Sequence, residues 1–159
     1  MNNGYIHDRK WADAFNNDIG QIIRENLGHI VSIDIAPVDV DTRQATDMVV
    51  HVRGGAVGVR LRRGNCKYRE LTIRSTRKGT AQTEIDKLRG GFGDWYLYCW
   101  EIAAGIEWML VDLAKVRGAG LLDMRRKEIM NPDGITGFIA ISRDELTQKG
   151  CVVNTGVHK

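Results

Sequence analysis

Residues 94–102 read DWYLYCWEI, and no other stretch of the chain restricts its fold as strongly. Side chains of an extended segment alternate between two faces, so this run presents apolar groups on both. A strand of that kind has to be covered from both sides, which places it at the centre of a sheet and not at an edge. Residues 106–113, IEWMLVDL, read as its neighbour and run on into a helical AKVRGAGLL. Trp95, Tyr96, Tyr98 and Trp100 have the chemistry to stack on unpaired bases. Their alternation with Leu97 and Cys99 in a buried strand assigns them to the core instead.

The opening segment is helical by pattern, because Trp11, Phe15, Ile19, Ile22 and Ile23 recur at spacings of three and four behind Asp8, a suitable N-cap. Gly28 and His29 end it, and IVSIDIAPVDV (30–40) has the β-branched alternation of a first strand. The stretch TDMVVHVRGGAVGVRLRR (46–63) supplies two strands joined by a glycine turn. YRELTIRS (68–75) supplies a fourth, with Leu71 and Ile73 on one face. Thr80 or Thr83 opens a short helix, EIDKLRGG, whose Gly90 and Gly91 suit the left-handed C-terminal position. After the turn NPDG, ITGFIAIS makes a further strand, and Ser142 with Glu145 forms a capping box for a last helix closed by Gly150. The expected fold is α/β in the broad sense, of the α+β kind, with a mixed central β-sheet flanked by helices. With 159 residues, the expected organisation is a single domain, 1–159.

An apolar share of 43% with 27% charged residues is that of an ordinary globular domain, and no window reaches the ~18 uninterrupted apolar residues of a membrane span. The N-terminus, MNNGYIHDRKW, has no apolar core and no small-residue cleavage site, so the cytoplasm is the expected compartment and no membrane partner is expected. Cys66, Cys99 and Cys151 lie far apart without a CxxC pair, and the four histidines lack metal-ligand spacing. Free thiols are expected. GxSxG, Walker A and a strand-to-helix GxGxxG are all absent, and Gly54, Gly55 and Gly58 read as turn and strand glycines.

The net charge of +3 conceals a strong asymmetry. Residues 53–78 hold nine basic side chains, Arg53, Arg60, Arg62, Arg63, Lys67, Arg69, Arg74, Arg77 and Lys78, against one acid, Glu70. The rest of the chain is net acidic. Positive charge gathered in about a sixth of the length, mostly as arginine, attracts phosphates. A sheet edge kept basic against aggregation is the alternative, but it rarely needs nine charges.

Metal-dependent phosphodiester hydrolysis needs at least two carboxylates to hold magnesium, and a cation to orient water or stabilise developing charge. A β-hairpin delivers such groups, since residues two apart share a face and adjacent strands align. In order of elements (helix, strand, a strand bearing Asp47, turn, V-x-V-R-x-R, helix, aromatic strand) residues 8–113 resemble the core of the PD-(D/E)XK, or restriction-endonuclease-like, nuclease superfamily. The resemblance implies a restriction-endonuclease-like core, an Asp on the second strand, Glu-x-Lys on the third, an assisting Glu from the first helix, and Mg2+ as cofactor. Asp47 matches the first position and Glu25 the helical one. The third position departs from the pattern, with Gly58-Val59-Arg60, or Arg60-Leu61-Arg62 two residues on, where Glu-x-Lys belongs. Arginine stays protonated and cannot replace a proton-transferring lysine, although it still neutralises a phosphate. Glu70 is the candidate replacement carboxylate, with an ion pair to Arg62 or Arg74 as its alternative role, and Asp47 is alternatively a strand-start cap. The implied site is therefore Asp47, Glu25 and Glu70 around the metal, with Arg60 and Arg62 on the phosphate. The C-terminal part, WMLVDLAKVR and NPDGITGFIAIS, is similar to small phage or mobile-element proteins of this type.

Three functions follow as expectations. The missing Glu-x-Lys favours a nuclease-like fold without catalysis that binds nucleic acid, DNA ahead of RNA, through its arginine-rich hairpin. The second is an active magnesium-dependent endonuclease or junction resolvase using Asp47 with Glu25 or Glu70. The third is a phage-type protein that engages and modulates a host protein. A homodimer is expected where a binding protein matches the two-fold symmetry of a duplex.

Overall fold

The computed structural model of the chain describes residues 10–27, 30–35, 48–52, 55–77 and 82–159. Asp8, the Gly28-His29 helix end, Thr80 and the continuation of the first strand past Ile35 lie outside them. In chain order the elements are α1 (Asn16–Asn26), β1 (Ile30–Ile35), β2 (Met48–Val52), β3 (Gly55–Arg62), β4 (Glu70–Arg77) and α2 (Glu84–Arg89). There follow β5 (Trp95–Ile102), β6 (Gly105–Asp112), α3 (Leu113–Gly118), β7 (Ile129–Met130), β8 (Thr136–Ser142), α4 (Arg143–Gln148) and β9 (Val152–His158). Among the described residues no helix is long and apolar enough to cross a membrane.

The fold is mixed α+β, built on two sheets and not on one. Six strands run in the order β1-β2-β3-β5-β6-β9. β1, β2 and β3 form an antiparallel meander, and β3 then pairs in parallel with β5, Val57 opposite Trp95 through to Arg62 opposite Trp100. A parallel neighbour demands a crossover, and the chain between β3 and β5 supplies β4 and α2. YRELTIRS and ITGFIAIS, read from sequence as members of a single mixed sheet, instead pair with each other as β4 and β8 in a separate three-stranded sheet, β4-β8-β7. Their alternation specified a buried face but not a partner. β9 closes the larger sheet against β6. Gly105, with φ of 127°, makes the turn into β6, and a side chain there would lie 2.1 Å from the His158 carbonyl oxygen of β9.

β5 lies inside the larger sheet, between β3 and β6. On one face Leu97 and Cys99 join Val57, Val59 and Leu110 under Ile19, Ile22 and Ile23 of α1. On the other, Tyr96, Tyr98 and Trp100 pack with Met109, with Leu71 and Ile73 of β4, with Ile139 and Ile141 of β8, and with α2 and α3. Each fully buried aliphatic or aromatic side chain contributes roughly 1.5–3 kcal/mol, so this two-sided burial dominates the stability. The opening helix is interrupted at Ala14 and Phe15, whose N–H groups donate to the carbonyls of Trp11 and Ala12 at 3.3 and 3.1 Å. Trp11 meets Phe15 edge-on, ring centres 5.7 Å apart, and its Nε1 donates to Glu101 Oε1 at 3.3 Å. The Thr83 side chain accepts from Asp86 N–H in a full capping box, whereas at Ser142 only half of the expected box forms: Ser142 accepts from Glu145 N–H, but the Glu145 carboxylate is drawn to Arg126.

The two sheets meet through a polar joint. Glu84, the first residue of α2, is only 5% exposed. Its carboxylate accepts from Arg60 Nη2 at 3.2 and 3.1 Å, from the Tyr96 hydroxyl at 2.8 Å and from the Arg74 backbone N–H at 2.9 Å. Arg60 Nη1 also donates to the Thr72 carbonyl at 3.3 Å. Burial pushes the Tyr96 phenol well above its ordinary range, so it stays protonated and donates. Removing one partner of a buried pair leaves an uncompensated charge, so Glu84→Ala is expected to cost about 3–5 kcal/mol in urea unfolding. The double change Arg60→Met with Glu84→Leu should recover much of that loss. A cost below about 1 kcal/mol for Glu84→Ala would show that the pair does not join the sheets.

Candidate nucleic-acid interface

Gly58, Arg60 and Arg62 share the face of β3 that looks toward the second sheet, because residues two apart on a strand point the same way. Both arginines, expected on a phosphate-binding surface, turn inward instead. Arg60 is held by Glu84, its side chain 16% exposed. Arg62 Nε donates to the Tyr98 hydroxyl at 2.7 Å, its Nη2 donates to Thr72 Oγ1, and its guanidinium lies 5.6 Å from the Tyr98 ring centre. Arg62 thus bonds Tyr98 and Thr72, not Glu70. Gly58 stands in register with Tyr96, and a Cβ there would lie 3.1 Å from the Tyr96 ring. The place that a third-strand carboxylate would need is therefore filled by an aromatic ring.

Of the implied metal set, the two described carboxylates, Glu25 and Glu70, are not brought together. Glu25 is exposed on α1, where its Oε1 accepts from Gln21 Nε2 at 2.8 Å. Glu70 begins β4, on the opposite side of the larger sheet from α1. Asp47 lies outside the described residues, as do Arg53 and Lys78. Among the described residues no group of three or more His, Cys, Asp or Glu is placed to hold a metal ion. Cys66, Cys99 and Cys151 are free thiols, and burial pushes the Cys99 and Cys151 thiols up, away from the reactive thiolate.

The remaining cations gather at the two ends of β4. At its start, Arg69 is structural: its Nε donates to Glu107 Oε2 at 2.6 Å, its Nη1 to the Cys66 carbonyl at 2.7 Å, and it lies 5.3 Å from the Trp100 ring centre. The half-buried Arg63 packs 4.5 Å from the Trp11 ring centre, and Lys67 is exposed. At its far end stand the half-buried Arg74 and the exposed Arg77, with Lys87 of α2 nearby. Burial lowers the Lys87 ammonium from its ordinary value, and the like charges of Arg77 and Arg74 lower it further against the pull of Glu84. Lys87 and Glu84 also wall a cavity of about 50 Å³ whose other lining is mainly apolar, including Gly58, Leu88, Tyr96 and Leu113.

Sequence reasoning passed over four residues at this surface. Lys87 comes to it only through the packing of α2. Arg125 and Lys127 are exposed, while Arg126 between them is committed to Glu145 through bonds of 2.9 and 2.7 Å. Glu128 ties that segment to the Ser75 and Thr76 hydroxyls, next to Arg77. Tyr68 is 70% exposed between Lys67 and Arg69. The signals were present in the sequence, as three consecutive cations and as an aromatic inside a basic run. No family model, curated protein or solved structure matches this chain.

Glu107 anchors the Arg69 end, accepting from Arg69 and also from Arg143 Nη1 at 2.9 Å. Burial alone raises its carboxyl, but the hydrogen bonds and charges of Arg69 and Arg143 outweigh that and hold it below the usual glutamate value of 4.5. A carboxyl lowered in the folded state contributes stability above that value, which is lost as pH falls through the folded one. Glu107→Gln is accordingly expected to cost about 2 kcal/mol near neutral pH and to flatten the decline of stability below pH 4.5. Urea unfolding across that range measures both. An unchanged acid limb would mean that Glu107 is not a stabilising anion.

Proposed function

We propose that the protein binds nucleic acid through the cations at the ends of β4, on a restriction-endonuclease-like core that does not cleave its ligand. The observation that carries the reading is the cluster formed by the exposed Arg77 and the half-buried Arg74 of β4 with the half-buried Lys87 of α2, near enough for the lysine to feel both arginines. Among the described carboxylates near them, Glu84 is committed to Arg60, Glu128 to the Ser75 and Thr76 hydroxyls, and Asp133 to the Ile135 and Thr136 N–H groups and the Thr136 hydroxyl. A field of that kind is relieved by an added anion, and a phosphate backbone supplies anions in series. Lys67 near the other end of β4, and Arg125 and Lys127 in the segment that Glu128 ties to Ser75 and Thr76, are further exposed cations.

The nuclease-like part of the reading is supported by the order of elements: α1, the meander β1-β2-β3, a crossover through α2, and β5 parallel to β3. The absence of cleavage is supported by Tyr96 against Gly58 and by the separation of Glu25 from Glu70. On this reading Arg60 and Arg62 hold the sheets together, and the contact with phosphate passes to Lys67, Arg77 and Lys87.

Fluorescence anisotropy of labelled oligonucleotides over a range of salt tests this. Affinity should fall steeply with salt, and the double change Arg77→Ala with Lys87→Ala should weaken binding about tenfold or more and reduce the salt slope by about two, one for each cation lost. Arg62→Met should lower stability and leave the slope unchanged. Absence of binding at low salt would overturn the reading. Cleavage of linear, nicked or branched DNA with magnesium or manganese, abolished by Asp47→Ala, would replace it with an active endonuclease.

A further inference from the structure

We infer that the ligand at this surface is single-stranded, and that Tyr68 is the platform on which one unpaired base stacks. This deepens the nucleic-acid reading and rests on it. Tyr68 is 70% exposed, above every other exposed large hydrophobic residue described, so its ring contributes little to the core. The loop that presents it is nevertheless firmly held. Cys66 N–H donates to the Arg63 carbonyl at 3.0 Å, closing a turn over Gly64 and Asn65. Gly64 N–H donates to Glu101 Oε2 at 3.1 Å, and Arg69 grips the Cys66 carbonyl from the other side while bonded to Glu107. The Cys66 thiol donates to the carbonyl of Tyr68 itself at 3.5 Å.

An apolar ring kept in water on a backbone fixed from both sides is already arranged for a partner with a flat face, and little ordering cost remains when that partner arrives. The neighbouring charge identifies the partner. Lys67, next in the chain, is exposed, Arg63 lies at the start of the same loop, and β4 leads from it to Arg74 and Arg77. β4 has eight residues, which at a rise of ~3.3 Å separate its first from its last by roughly 23 Å, a length that accommodates several phosphates. A duplex keeps its base faces stacked on one another and offers none to a ring at its side. A single strand offers both a free base for Tyr68 and a chain of phosphates for the cations.

The test uses the full chain and two fluorescein-labelled probes, a twelve-nucleotide oligothymidylate and a blunt duplex of the same length, read by anisotropy. The expected result is at least tenfold tighter binding of oligothymidylate than of duplex. Tyr68→Ala should weaken the single strand by about tenfold, within the ~1–3 kcal/mol that one stacked base supplies, and Tyr68→Trp should retain it. The salt slope should not change in either variant, since a ring releases no counterions. Urea unfolding of both variants should match the parent. Equal binding of the two probes, or loss of both alike in Tyr68→Ala, overturns the inference and leaves the nucleic-acid reading standing. Failure of the parent to bind either probe at low salt overturns both.

Discussion

The buried pair of Arg60 and Glu84 is the joint on which both sheets depend. β4 lies at the edge of the smaller sheet, with its Thr72 carbonyl and Arg74 N–H served by these two side chains and not by a strand. An unpaired edge is a liability that proteins cover in some way. Here Arg60 from β3 and Glu84 from α2 take the place of a neighbouring strand. Desolvating two charges costs several kcal/mol each, which is offset only where geometry and further hydrogen bonds are good. Glu84 meets that condition, with the Tyr96 hydroxyl and the Arg74 N–H added to the guanidinium. The Thr83–Asp86 capping box fixes the start of α2, and so the direction in which Glu84 points.

This joint redistributes the charge of the basic segment. Arg60, Arg62 and Arg69 are drawn into contacts with Glu84, Tyr98 and Glu107, where they support the region between the sheets and its rim. The other described cations of the segment are Arg63 and Lys67 before β4 and Arg74 and Arg77 in its second half. Charge that looked continuous in sequence is thus divided in space between a structural set, in which Glu84 and Glu107 offset Arg60 and Arg69, and an outward set that faces solvent.

The division explains what the sequence made legible. The central position of β5 was readable because its requirement is local: both faces are apolar, so both must be covered. The caps at Thr83 and Ser142 were readable for the same reason, since side chain and N–H lie three residues apart. The pairing of β4 with β8 was not, because alternation states which face is buried and is silent about the partner. Nor was the fate of Arg60 and Arg62. Alternate arginines on a strand look like a solvated face, and only the second sheet, closing over them with Thr72 and Glu84, makes that face an interior one. β9 was missed since Asn154 and Gly156 interrupt its alternation, although Gly156 is where the Trp108 ring crosses the strand.

The arginine at position 60 also bears on the metal question. A divalent site concentrates carboxylates and leaves them short of cations, so that the ion supplies the missing charge. At the third strand of this protein the nearby carboxylate is Glu84, and a guanidinium already neutralises it. Magnesium, which gives up its water reluctantly, would have to displace that guanidinium and also the Tyr96 hydroxyl and Arg74 N–H, leaving buried donors without partners. Gly58 compounds the effect by admitting the Tyr96 ring to the space a second carboxylate would take. The charge on this face of β3 therefore serves to hold two sheets together.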